Sequence, residues 1–143
     1  MAVMALKEVG FGNDKLGNPV TYDYLESLGI SLFNIFVMVP GSLPSLPKVG
    51  VDIKSYLYKL EDSINTEELR DKIFYSCSEL LSFINVSDVN IQEIDLDGQK
   101  ALVILVTANL EDESFALISV LRKGVDNEVM YSFRAEAIKA ANQ

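Results

Sequence analysis

Residues 88–123 read "DVNIQEIDLDGQKALVILVTANLEDESFALISVLRK", and this stretch decides the fold class. It contains three strand-like runs, at 88–95, 100–109 and 114–123, which are separated by two short polar turns. The first turn contains Asp97-Gly98, a strong hairpin signal, so an antiparallel meander is the economical topology. The middle run is apolar on both faces, whereas its neighbours alternate more, as strands at an edge or with one solvent-facing side do.

Helices are predicted on the N-terminal side of this meander. The clearest one spans about 66–83, where apolar residues recur at helical spacing and Asn65 can cap the first turn. A shorter helix is predicted at 52–60, whereas the apolar segment 30–39 fits either a buried strand or a buried helix. The residues therefore predict an α+β fold, with two to three helices packed on a small antiparallel sheet.

The two ends of the chain show weaker patterns. Residues 1–28 mix glycine, asparagine and proline without a sustained period, which predicts an arm that needs a partner. In the C-terminal tail, 124–143, apolar residues alternate from 129 to 133, so the tail is expected to add a fourth strand or to lie along a partner. The chain is therefore divided into an arm, a core at 29–123 and a tail.

Composition argues against several classes of function. The chain has 143 residues, 49% of them hydrophobic, which is the size of one domain with a sizeable core. Its 21 acidic and 12 basic residues give a net charge of −9, which argues against nucleic-acid binding and makes a basic partner surface more plausible. No apolar run approaches the roughly 18 residues of a membrane span, and the start does not resemble a signal peptide.

The chain contains no histidine, and this excludes Ser-His-Asp and Cys-His nucleophile systems as well as histidine metal sites. The single cysteine, Cys77, cannot form an internal disulfide and is interpreted as a small buried hydrophobic residue. Paired carboxylates could still hydrolyse glycosides, but the adjacent acids at 61–62, 67–68 and 112–113 all lie in polar contexts. No catalytic residue, metal ligand or cofactor is predicted.

Residues 38–57, "MVPGSLPSLPKVGVDIKSYL", concentrate proline and glycine between two apolar segments. Proline fixes its own φ and restricts the residue before it, so this connection has a specified backbone path. It could be an active-site loop, a binding loop or a structural hinge. The residues that carry the pattern are Pro40, Gly41, Ser42, Pro44, Pro47, Gly50 and Asp52.

The order of these residues resembles the tail-sheath-initiator, or baseplate-wedge, family of contractile phage tails, which has relatives in pyocins and type VI secretion baseplates. That family shows a glycine-serine-x-proline turn, a further proline, and then a glycine and an acidic residue that opens a helix. Six positions agree in type and spacing: Gly41, Ser42, Pro44, Pro47, Gly50 and Asp52. The resemblance covers 30–123, includes the long helix before a three-strand meander, and favours a helix at 30–39.

One segment departs from the family pattern. Family members commonly carry glutamate-proline-arginine at the end of the long helix, where the arginine ties the domain to its baseplate neighbours. This chain has Leu81, Ser82 and Phe83 there. The arginine contact is therefore not carried over, and an apolar interface would have to replace it.

The resemblance implies a structural, late protein of the virion that is made in the host cytoplasm and built into the viral baseplate of a contractile tail. Baseplate wedge proteins would hold the arm at 1–28, and the sheet would nucleate the tail sheath protein by strand addition. Tail tube or hub proteins are further candidate partners under this resemblance. The sheath-facing candidates lie in the first and third strands: Asn90, Ile91, Gln92, Leu117, Ile118 and Ser119.

Two other functions remain open from the sequence. One is a lysozyme-like enzyme that cleaves peptidoglycan with paired carboxylates, which would need one carboxyl group in an apolar setting. The other is an intracellular adaptor domain unrelated to phage.

Overall fold

The structure is a computed structural model that describes residues 3–5, 22–59, 64–110, 113–125 and 128–138. These residues form three helices and five strands. In chain order the elements are β1 (Val3–Ala5), α1 (Tyr22–Val37), α2 (Ile53–Tyr58), α3 (Thr66–Leu80), β2 (Asn85–Leu96), β3 (Gln99–Leu110), β4 (Glu113–Lys123) and β5 (Val129–Ile138). The α+β class and the packing of helices on an antiparallel sheet are confirmed.

Helix α1 resolves the ambiguity at 30–39 in favour of a helix. The helix begins at Tyr22, and Leu25 and Leu28 are buried in the core. The predicted boundary between arm and core, at residue 28, is therefore corrected, because the helical core already includes 22–28.

Helix α3 begins where the sequence predicts. The side chain of Asn65 accepts a hydrogen bond from the Glu68 N–H at 3.0 Å, which satisfies one of the free donors of the first turn. Two acids in that turn, Glu67 and Glu68, suit the positive end of the helix dipole. The helix ends at Leu80, three residues before the predicted end.

The sheet contains more strands than the predicted three-strand meander. Its order is β1-β5-β4-β3-β2, in which β2 to β5 are antiparallel and β1 pairs with β5 in parallel. Strand β5 pairs along β4 from Ser114↔Ile138 to Lys123↔Val129. The fourth strand expected of the tail is confirmed, and the predicted boundary at 123 is corrected because β5 is part of the core sheet.

The helices cover one face of this sheet, which we call the inner face. Side chains from all three helices and from β2 to β5 form one buried hydrophobic cluster there. The opposite face, which we call the open face, has an apolar centre made by Val103, Leu105, Ile118 and Val120, all half-buried and none of them in that cluster. Strand β3 therefore has apolar side chains on both faces of the sheet, and only those on the inner face belong to the core.

A buried polar contact ties α1 to the sheet. The Tyr131 hydroxyl on β5 donates to the Gly29 carbonyl at 2.9 Å and lies 3.4 Å from the Ser119 hydroxyl on β4. A Cβ at Gly29 would overlap the ring of Phe133, so the absence of a side chain lets α1 lie close on β5. The hydrogen bond and the close approach at Gly29 together hold α1 in position against β5.

Candidate strand-docking edge

Strand β2 is an edge of the sheet. It pairs with β3 on one side, and the described residues place no strand on its other side. An edge strand presents unpaired N–H and C=O groups that can pair with an extended segment of another chain. This edge is the feature of the fold that is best suited to binding a partner.

The β2–β3 turn determines which backbone groups of β2 face outward. Its two central residues, Asp97 and Gly98, have φ values of 52° and 80°, as a two-residue type I′ turn requires. In such a turn the flanking residues, Leu96 and Gln99, form a hydrogen-bonded pair. Directly opposed pairs then alternate along an antiparallel ladder between hydrogen-bonded and non-hydrogen-bonded.

The β2–β3 register runs without a shift from Leu96↔Gln99 to Asp88↔Thr107. Counting back in steps of two from the turn shows which residues of β2 belong to non-hydrogen-bonded pairs and so point their N–H and C=O groups away from β3. These residues are Val89, Ile91, Glu93 and Asp95. The N–H groups of Asn90 and Gln92 point inward to β3.

Exposure varies along the edge. Val89 is buried and Ile91 is half-buried, whereas Glu93 and Asp95 are exposed. These four side chains lie on the inner face, because Val89 and Ile91 oppose the core residues Val106 and Ile104 on β3. An added strand would therefore meet an apolar half and an acidic half of the same edge.

A groove of about 320 Å³ lies between α3 and the middle of β2. It is lined by Thr66, Glu67 and Arg70 from the helix and by Val89, Asn90 and Ile91 from the strand. Two of its lining residues, Val89 and Ile91, are outward-facing positions of the edge. An extended chain paired to β2 would thus place inner-face side chains beside the first turns of α3.

The candidate residues in the third predicted strand do not lie at an edge of the sheet. Leu117, Ile118 and Ser119 lie in β4, which pairs with β3 on one side and β5 on the other, so its backbone groups are already used. Leu117 and Ser119 are fully buried on the inner face, and Ile118 lies on the open face. These three residues cannot accept a strand without displacement of β5.

The proline- and glycine-rich segment is closed at its base. The Asp52 N–H donates to the Met38 carbonyl at 2.9 Å, and the buried Gly50 N–H donates to the Ser76 hydroxyl of α3 at 2.9 Å. The base residue Asp52 is half-buried. The tip residues are exposed: Pro40, Gly41, Ser42, Pro44 and Pro47. The segment is therefore anchored at both ends and presents its prolines to solvent, which fits a hinge or a binding loop.

The three residues at the end of α3 have different environments. Leu81 is buried and Ser82 is exposed, and Phe83 is 54% exposed while its ring makes an edge-to-face contact with Tyr24 at 6.2 Å between centroids. Phe74 and Tyr75 on the same helix are also exposed. Exposed aromatic side chains thus lie on α3 and just after its end.

The described residues offer little for chemistry. Cys77 is fully buried, and burial raises the pKa of its thiol to about 12, so it is a neutral packing residue at pH 7. Among the residues that the structure describes, no three side chains of the metal-ligating types cluster, and every carboxylate is at least partly exposed. None of the described helices is both long and apolar enough to cross a membrane.

The sequence named Asn90, Ile91 and Gln92 on this edge but missed the other outward-facing residues, Val89, Glu93 and Asp95. The signal was available in the sequence, because Asp97-Gly98 predicts a two-residue turn and counting back from it gives the phase of the edge. The sequence could not show that the described residues place no strand on the far side of β2. It also could not show the groove beside α3.

No protein-family model, curated protein or solved structure matches this chain.

Proposed function

We propose that this chain is a structural subunit of a contractile-tail baseplate that joins the inner baseplate to the first sheath ring and nucleates the sheath by accepting a strand at β2. The observation that carries the proposal is the edge of β2, on whose far side the described residues place no strand, with outward backbone groups at Ile91 and Glu93 and a groove beside it. In strand addition, backbone hydrogen bonds supply affinity and pockets for alternate side chains supply specificity.

The proposal draws its biological setting from the resemblance of the segment between Pro40 and Asp52 to the sheath-initiator family. In this setting the anchored segment orients α1 against α2, because the Asp52–Met38 hydrogen bond joins the ends of the connection. Wedge proteins would contact the N-terminal arm and the exposed ring of Phe83. The β2 edge would remain for the sheath.

A proline scan of β2 in assembled particles tests this function. Glu93→Pro deletes an outward N–H and leaves the β2–β3 ladder intact, so the variant should fold, join the baseplate and give tail tubes without sheath. Gln92→Pro is the matched control, because it deletes an inward N–H and should act through loss of stability instead. Electron microscopy of purified particles reads the outcome, with circular dichroism to check folding.

Fully sheathed tails from a folded, incorporated Glu93→Pro protein would contradict strand addition at this edge. Absence of the chain from purified contractile particles would contradict the baseplate function itself. A peptidoglycan turbidity assay tests the enzymatic alternative, which needs a carboxyl group in an apolar setting. Clear lysis by the purified chain would replace the structural function with that alternative.

A further inference from the structure

The β2 edge that no other described strand covers carries charge of one sign. The strand from Asn85 to Leu96 contains Asp88, Glu93 and Asp95 and has no lysine or arginine. Edge strands often carry charges that discourage pairing with identical edges. Two copies of this strand would bring six carboxylates together, and the strands themselves contain no lysine or arginine to pair with them.

Two of these acids lie where a partner strand would pair. Glu93 and Asp95 have outward backbone groups and exposed side chains on the inner face. Across β3, Glu93 opposes the apolar Leu102, and Asp95 opposes Lys100 without an ion pair within 4 Å. The charge of Glu93 in particular has no cation opposite it in the sheet.

The other half of the edge differs in chemistry. Val89 and Ile91 have outward backbone groups and apolar side chains, and they face the groove that Arg70 and Glu67 line from α3. A partner side chain opposite Ile91 would enter this groove, where the strand contributes apolar side chains and the helix contributes the charged side chains of Glu67 and Arg70. The edge therefore specifies a pattern of two apolar positions followed by two basic ones, at alternate residues.

We propose that the segment accepted by β2 is a basic strand of a different protein, with apolar side chains opposite Val89 and Ile91 and lysine or arginine opposite Glu93 and Asp95. This inference rests on the proposed strand addition and specifies the chemistry of the partner. Directly opposed charges of opposite sign stabilise a strand pair, whereas like charges destabilise it. A heterologous basic strand is thus preferred over a second copy of this chain.

Designed peptides test the pattern on the intact chain. The peptide Lys-Thr-Lys-Thr-Ile-Thr-Val, paired antiparallel, places its lysines opposite Asp95 and Glu93 and its apolar residues opposite Ile91 and Val89. The reversed sequence tests parallel pairing. The matched control, Glu-Thr-Glu-Thr-Ile-Thr-Val, keeps strand propensity and reverses the charge.

The basic peptide should bind at least about fivefold more tightly than the acidic one, because two exposed cross-strand pairs each contribute a fraction of a kcal/mol. Its binding should weaken with salt and shift the amide resonances of the outward positions on β2. Glu93→Gln should remove part of the difference between the peptides, and Glu136→Gln, on β5, should leave it unchanged. Equal binding of the two peptides, or a salt-dependent dimer through β2 in sedimentation, would overturn the inference.

The failures of the two proposals are distinguishable. If both peptides bind equally while Glu93→Pro particles lack sheath, strand addition stands and the basic pattern is wrong. If the basic peptide binds selectively while Glu93→Pro particles are fully sheathed, the edge accepts a basic strand that is not the sheath.

Discussion

At the scale of single residues, Gly50 has a backbone environment that leaves no space for a side chain. Its φ is 125°, and a Cβ would lie 2.8 Å from the Met38 carbonyl oxygen and 3.0 Å from the Pro40 nitrogen. Gly41 also has a positive φ, 96°, but nothing lies within 4 Å of its Cβ position. A side chain would therefore be strained by the positive φ at both positions, but it would also clash with neighbouring atoms at Gly50.

We expect Gly50→Ala to lower the free energy of unfolding by about 3 kcal/mol and Gly41→Ala by about 1 kcal/mol, because only Gly50 adds a clash with backbone atoms to the strain of positive φ. Urea unfolding of both variants measures the difference. Equal losses would show that the base of the segment is not held as tightly as the contact at Met38 implies.

The buried Cys77 thiol makes the free energy of unfolding depend on pH in the alkaline range. Burial raises the pKa of its thiol from 9.0 to about 12, so above pH 9 the unfolded chain loses a proton that the folded chain keeps. The stabilisation is complete below pH 9 and is lost as the pH rises toward 12. The buried Tyr131 hydroxyl, whose pKa burial also raises, adds a loss that begins near its usual pKa of 10.

Cys77→Ala should therefore flatten the decline of unfolding free energy by up to about 1.4 kcal/mol per pH unit in this window. Urea titrations at about pH 8 and about pH 10.5 measure the slope, and the comparison with the parent chain cancels the share of Tyr131. A slope that Cys77→Ala leaves unchanged would contradict the assignment to the thiol.

At the scale of elements, Ser76 connects α3 to the proline- and glycine-rich segment. Its hydroxyl is buried and accepts the hydrogen bond of the Gly50 N–H. Ser76→Ala should leave that N–H buried without an acceptor and cost about 1–3 kcal/mol. Ser78→Ala, at an exposed position of the same helix, should change stability by less than about 0.5 kcal/mol. Thermal and urea unfolding compare the two, and similar losses in both variants would contradict this role of the hydrogen bond.

Inward and outward N–H groups alternate along β2, so a proline substitution should affect folding differently at neighbouring positions. Gln92→Pro removes a donor that faces Val103 on β3 and should lower the unfolding free energy by about 3 kcal/mol. Glu93→Pro removes a donor that faces outward and should cost about 1 kcal/mol or less. Urea unfolding measures both, and the reverse order would show that the outward phase of the edge is wrong.

At the scale of the whole molecule, the N-terminal segment divides at Tyr22, where α1 begins. Deletion of residues 1–21 removes only the three-residue strand β1 from the described core, so the remaining chain should fold cooperatively, and under the proposed function it should no longer co-purify with wedge proteins. Deletion of 1–28 should unfold the chain, because it also removes the buried side chains of Leu25 and Leu28, each of which contributes about 2–5 kcal/mol. Circular dichroism melts distinguish the two truncations, and equal stability would contradict the placement of 22–28 in the core.

Local chemistry in the sequence determined the elements of this protein. Asp97-Gly98 specified the hairpin because both central positions of a two-residue turn need positive φ, and Asn65 specified the start of α3 because its side chain can accept a hydrogen bond from the first turn. The alternation from Val129 to Phe133 was sufficient to suggest a strand in the tail. Each of these signals acts within a few residues of its own position.

Only the tertiary structure decided which edge of the sheet is available. The strand pattern of 114–123 fits an edge as well as an interior strand, and it is the pairing of β5 along β4 that places Ser119 in the interior. The groove between α3 and β2 likewise depends on where Arg70 lies over the sheet. A strand's period specifies its own two faces but not its neighbours, because neighbours are selected by burial and hydrogen bonding between segments distant in sequence.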